Sequence, residues 1–351
     1  MLKKIVFGVS VATLLSGTAF SQTEIASASD AQVIVDAAIE ETEAGSTEAA
    51  SSSVTVAPTS VELKSWKTKK IWSKRPKIAI VGYNVGTYLT AKETASTGGG
   101  FGSSFGARST LEYRVTNISP ELIQDIADAA YADLQAQFLE AGAELVDVET
   151  ITADPNISKL GVGSAPFQAK IKDGRAKKTV AVSGPSAFGG TSFMSMGKTT
   201  FNLNGSAKTS DGLDAVLVLP NAALDFVSTS GGGQRYFGNK ARVEGTVGFS
   251  LDMASLTTVT YSKSGRYADG WGNLTLEEDI AVVGPFADVQ EWSDELNGLT
   301  VGLSKTWGLP YTRAGKKVMG VTVEEAAYKD LALSVLKGYN AAIVADYNAR
   351  K

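Results

Sequence analysis

The chain contains no histidine and no cysteine. The first absence removes the Ser-His-Asp and Cys-His nucleophile systems. The second removes disulfides, thiolate catalysis and thiolate metal sites. Together they exclude zinc or copper held by imidazole or sulfur. No later stretch reaches about 18 consecutive apolar residues, so no transmembrane helix is expected. A G-x-x-x-x-G-K-[ST] phosphate loop is missing, and so is a D-x-[DN]-x-[DN]-G calcium loop. Basic residues do not dominate either: 33 Lys and Arg face 37 Asp and Glu, for a net charge of -4. That balance argues against a nucleic-acid partner. The chemistry left is that of Asp, Glu, Lys, Tyr, Ser and Thr, with cations held by oxygen.

What is present begins with a targeting pattern. Lys3-Lys4, the apolar stretch Ile5–Leu15 and the small-residue segment ending at Ser21 have the order of a signal peptide, residues 1–21. Ala19-Phe20-Ser21 offers a cleavage site and Ala26-Ser27-Ala28 a second. The expectation is an exported protein of the periplasm, the outer membrane or the cell surface. An exported chain without disulfides has to stabilise its core by burial alone. Residues 22–63 are acidic, rich in Ala, Ser and Thr, and free of Lys and Arg, so they read as a disordered tether.

Residues 64–77 reverse the sign. Seven cations from Lys64 to Lys77 surround Trp66 and Trp72, with no acid among them. Trp66, Lys67, Lys69, Lys70 and Trp72 are candidates for peripheral contact with an anionic membrane or an acidic polysaccharide. The alternative is a solvated basic edge whose tryptophans cover the core.

Residues 77–351 read as an α/β (α+β) domain: a single mixed β-sheet flanked by helices, with Gly/Ser-rich insertions and a C-terminal helix. Lys77–Tyr83, Leu111–Val115, Leu145–Glu149, Lys178–Val182, Thr199–Leu203, Asp214–Leu219 and Ile280–Val283 are expected strands. Ser119-Pro120-Glu121 opens a helix by its cap, its proline and its first-turn acid. Leu122, Ile126, Ala130, Leu134 and Phe138 form that helix's apolar face, and Gly142 ends it. Residues 228–239 read as a Gly/Ser loop. The alternation from Val243 to Met253 and the return through Val259 and Tyr261 read as an antiparallel hairpin turning near Ala254–Thr257. Thr322-Val-Glu-Glu325 reads as a capping box opening the last helix.

Two glycine-rich insertions carry apolar side chains. Gly98–Gly106 holds Phe101 and Phe105. It neither follows a strand directly nor opens a helix, so it is not a dinucleotide loop. It reads as a flexible insertion or as a hairpin that meets a membrane or partner. Ser183–Gly197 holds Phe188, Phe193, Met194 and Met196, read equally as an adaptable interface or as anchors tucked into the core. Asp252, Asp269, Glu277, Glu278 and Asp279 are the densest later acids. A glycosidase needs two carboxylates across a cleft, whereas Glu277–Asp279 reads as a solvated turn. Tyr267 and Trp271 have the chemistry to stack on a sugar ring. No residue is assigned as catalytic, cofactor-binding or metal-binding.

The order of elements is similar to the periplasmic α/β domain of the curli secretion-channel family and related envelope-assembly proteins. The matching pieces are Lys77-Ile-Ala-Ile-Val-Gly, the helix and strand from Leu122 to Val148, the strand Asp214–Leu219, the hairpin Val247–Tyr261 and the helix from Thr322. The family's lipid-anchoring cysteine is missing here, and the turn Ala-Ser-Leu-Thr-Thr lacks the usual Thr-Gly. The resemblance implies a non-catalytic envelope protein that forms rings. The leading expectation is therefore an exported binding or assembly component, a homo-oligomer or the partner of another envelope protein. The alternatives are a secreted hydrolase using Asp/Glu on polysaccharide and a periplasmic ligand-binding protein.

Overall fold

The run Ala215-Val-Leu-Val-Leu219 has no polar alternation, the pattern of a strand covered on both faces, and all five residues are fully buried. It begins the longest strand of a mixed sheet. The computed structural model describes residues 59–96, 108–160, 167–173, 176–189, 203–234, 240–282, 284–291, 311–312 and 315–350. The chain divides into units Met1–Ser53 and Val54–Lys351, and every described residue belongs to the second.

Strands β1 (Leu63–Trp66), β2 (Lys77–Ile80), β3 (Asn84–Ser96) and β4 (Arg108–Thr116) come first, then helix α1 (Pro120–Glu140). The two-residue β5 (Glu144–Leu145), the short helix α2 (Val148–Ala153) and the hairpin β6 (Phe167–Asp173) with β7 (Ala176–Ser183) follow. Helix α3 (Leu203–Gly212) precedes β8 (Ala215–Gln234), β9 (Lys240–Leu251), β10 (Leu256–Tyr261), β11 (Gly270–Leu276) and β12 (Ile280–Val282). Finally β13 (Ala287–Glu291), β14 (Tyr311–Thr312) and β15 (Gly315–Val323) lead into the C-terminal helix α4 (Glu325–Asn348). The main hydrogen-bonded path is β1-β11-β10-β8-β3-β4-β15-β13.

The two long helices pack together through a buried asparagine. Asn340 of α4 donates to Ala130 O at 2.9 Å and to Asp133 Oδ2 at 2.8 Å on α1, and accepts from Tyr83 Oη at 2.8 Å. Its amide is thereby satisfied in the dry interior, where an orphaned polar group costs most. The spacing of Ala327, Leu331, Val335, Tyr339, Ala342 and Ile343 predicts one apolar stripe on α4; Leu331, Val335, Tyr339 and Ile343 are buried and the two alanines half-buried. Ser119 caps α1 by accepting from Leu122 N at 3.0 Å, again as expected.

Several local expectations are corrected. Leu145–Glu149 contributes only the end of β5, because Asp147 takes an extended N-cap position and Glu149 falls in the first turn of α2. Leu203 opens a helix instead of closing a strand. Ser228–Gln234 is not loop but strand: it pairs residue by residue with Lys240–Thr246. Backbone pairing carries that segment, since Gly231–Gly233 bring no side chains to it. β9 and β10 form no hairpin with each other. Both run antiparallel to β8, β10 along Leu217–Asn221 and β9 along Leu224–Gln234. The N-cap of α4 is Glu324, whose carboxylate accepts from Ala327 N at 2.8 Å. Thr322 is unavailable because β15 still pairs there, opposite Thr116.

Candidate functional site

Three backbone irregularities converge at one level of the sheet. β3 shifts register against β7 between Tyr88 and Thr90. β8 shifts against β9 between Asp225 and Val227. The antiparallel partner of β8 is interrupted at Asp252–Ser255, between β9 and β10. Here β3 stops pairing with β8, after Thr87–Leu224, and pairs with β4 from Thr90 onward. Irregularities of this kind bend strands and re-aim them. The sheet thus branches into two arms, β3–β4 and β8–β9.

A buried charge cluster fills the branch. Lys178 of β7 places Nζ 2.5 Å from Asp225 Oδ2 and 3.5 Å from Asp252 Oδ2, with side-chain exposures of 5%, 6% and 7%. The same ammonium lies 4.7 Å above the Tyr88 ring. Asp225 Oδ1 accepts from Phe226 N at 2.8 Å and Val227 N at 3.3 Å, so its carboxylate holds the bulge. Asp252 Oδ1 accepts from Ala254 N at 2.7 Å and holds the strand break. Burial pushes the Asp252 carboxyl up to about 6, and pushes Asp225 up against the pull of Lys178. Phe249, Phe286 and Tyr328 pack edge-on nearby, and Tyr328 Oη donates to Thr87 Oγ1 at 3.3 Å. The cluster is buried at the place where the two arms leave the core.

Asp269 and Asp279 hold backbone amides, and Glu277 makes an exposed surface pair. Asp269 Oδ2 accepts from Lys263 N at 2.5 Å, Asp279 Oδ1 from Met253 N at 2.8 Å, and exposed Glu277 pairs with Lys64 at 3.6 Å. Among the described residues, no group of three or more Asp and Glu is arranged to hold a metal ion.

The basic neck is a strand and two short 3-10 turns laid against the sheet and α4. Trp72 is a core residue, 2% exposed, and not a surface contact. Its Nε1 donates to Asp346 Oδ2 at 2.8 Å, and Thr68 Oγ1 donates to the same oxygen at 2.8 Å. Arg350 grips the other oxygen at 2.5 Å and donates to Ser65 Oγ at 2.6 Å. The Trp72 ring packs edge-on against Tyr347 at 5.6 Å. Trp66 points the other way. It is 43% exposed and meets Trp271 edge-to-face, with centroids 4.6 Å apart. Lys67 sits at φ 59, left-handed for a residue with a Cβ, and lays Nζ 4.3 Å over the Trp66 ring. Lys69 and Lys70 are exposed. Gly272 allows the close approach: a Cβ there would come 2.6 Å from Trp66 O and 2.8 Å from Thr68 N.

Phe188 is an anchor, 8% exposed and edge-on to Tyr131 at 5.6 Å. Phe101, Phe105, Phe193 and Met194 lie outside the described residues. Sequence reasoning missed Lys178, Asp225 and Asp346. Only Asp225 gave a signal, as a lone charge inside the apolar run Ala222–Val227. No family model matches the chain, and neither a curated protein nor a solved structure is similar to it.

Proposed function

We propose that the protein is an exported, non-catalytic cell-envelope component that assembles with copies of itself or with another envelope protein through the two arms. The carrying observation is the branched sheet. Beyond Asp225, β8 continues to Gln234 beside β9, an arm of roughly 30 Å at about 3.3 Å per residue. Beyond the branch, β3 continues to Ser96 beside β4. The two arms are tied together, since β14 pairs with β9 and β15, two residues later, pairs with β4.

The chemistry of the β3–β4 arm favours protein contact over bilayer insertion. Glu93 faces Leu111 on one side, and Lys92 pairs with Glu112 at 3.7 Å on the other. Glu93 is 5% exposed, so that face is covered within the molecule, and the charged Lys92–Glu112 face does not suit lipid. Among the described residues, β1, β6 and β13 each pair on one side only. These are further edges to which another chain can add. The resemblance of the opening strand, the first long helix and the apolar run of β8 to the curli secretion-channel family points to the same reading.

The test is to replace residues 97–107 with a two-residue Asn-Gly turn and compare native mass with the parent. The reading expects a folded protein of lower mass. A variant that assembles as the parent does would remove the β3–β4 connection, residues 97–107, from the interface.

A further inference from the structure

We propose that the end of the molecule opposite the arms docks on a bilayer surface carrying anionic phospholipid headgroups. Trp66 and Trp271 form an outward-facing pair, and Tyr267, 61% exposed, follows the same β10–β11 connection. Indole and phenol rings combine an apolar body with a polar tip, the chemistry of the membrane–water boundary.

The cations of this end are exposed, and Lys67 leans over the Trp66 ring. Lys67, Lys69, Lys70, Lys263 and Arg266 are exposed and form no ion pair among the described residues. Lys64 is set apart by its bond to Glu277, and Arg75 by its bonds to Asp211 and Asp214. Arg75 also donates to Ser262 O at 2.5 Å, which ties the neck to the β10–β11 connection and brings its cations to the same end. The arrangement is built and rigid. Asp346 clamps Thr68 and Trp72 from behind, and Lys67 holds a left-handed backbone that the fold must stabilise. Asp211, Asp214 and Asp269 lie at this end too, the first two bound to Arg75, so the five remaining cations outweigh the acids and select an anionic occupant. Projecting aromatics beside the lysines select a surface into which rings can sink.

Position supports the choice. Trp271 pairs with Thr260, and Thr260 with Leu217 near the start of β8. The arm ends at Gln234, roughly 50 Å further along the strand. Docking by the Trp pair therefore directs the arms away from the bilayer. Lipid binding at this end does not depend on assembly at the other.

The experiment is sedimentation of the full chain with vesicles of phosphatidylcholine alone or with 30% phosphatidylglycerol, at low and high salt. The expected result is binding to the anionic vesicles only, weakened by salt. Replacing Lys67, Lys69 and Lys70 with Gln should weaken it roughly hundred-fold. Trp66→Ala with Trp271→Ala should abolish the binding that survives high salt, with circular dichroism unchanged. Equal binding to both vesicle types, or no effect of the lysine changes, overturns the proposal. So does binding to an acidic polysaccharide such as alginate with none to vesicles.

Discussion

Lys178 Nζ lies 2.5 Å from Asp225 Oδ2, and this buried pair sits where β8 leaves β3. One ammonium therefore serves two carboxylates, one holding a bulge and the other a strand break. Removing it strands both. Lys178→Met should destabilise the fold by roughly 3–5 kcal/mol, the range for breaking a buried pair from one side. Adding Asp225→Asn and Asp252→Asn should recover part of that loss. Urea unfolding of Lys178→Met, of Asp225→Asn with Asp252→Asn, and of all three changes together checks the coupling, and simple additivity of the losses would contradict it.

Asp252 gives the fold a pH dependence. Burial raises its carboxyl from 3.8 to about 6. Between those values the folded state binds a proton that the unfolded state has lost. The contribution is fully present below the ordinary carboxylate range and disappears as pH rises through about 6. At roughly 1.4 kcal/mol per unit, about 2–3 kcal/mol is at stake. The melting temperature of the parent should therefore fall relative to Asp252→Asn between pH 4 and 6.5. Asparagine keeps the oxygen that accepts from Ala254 N. Parallel curves for the two proteins would remove Asp252 as the titrating group.

Asp346 is the clamp of the neck. Its replacement by Ala leaves the Trp72 indole N–H and the Thr68 hydroxyl without their acceptor and releases Arg350. The expected cost is roughly 2–4 kcal/mol. Trp72 emission should also shift to longer wavelength as water enters. An unchanged spectrum would mean that the apolar contacts alone hold the neck.

Gly272 is required by proximity to backbone and not by its own φ. Gly272→Ala should lift β1 from β11 and cost about 1–3 kcal/mol. It should also change the near-ultraviolet dichroism in the way Trp66→Ala does, because the Trp66–Trp271 contact depends on that approach. A spectrum matching the parent's would place the pair elsewhere.

What was legible in the sequence was local and periodic. The cap at Ser119, the stripe of α4 and the apolar run of β8 each announce themselves within a few residues. The branch did not, because it depends on registers between strands more than a hundred residues apart, such as Thr87 against Leu224. The glycines at 231–233 read as loop because strand pairing by backbone leaves no side-chain signal. Trp66 and Trp72 look equivalent in sequence, six residues apart. Asp346, 274 residues beyond Trp72, decides which is buried. Lys178 and Asp252 carry no mark that they share a site, since Lys178 is one of two adjacent lysines and Asp252 a single acid closing an apolar alternation.

Assembly through the arms, with copies of the chain or with another envelope protein, is the central claim, and native mass tests it most directly. The full-length protein, extracted gently from the envelope fraction, should scatter light as a particle of many subunits. A monodisperse monomer across the working concentration range would contradict the account.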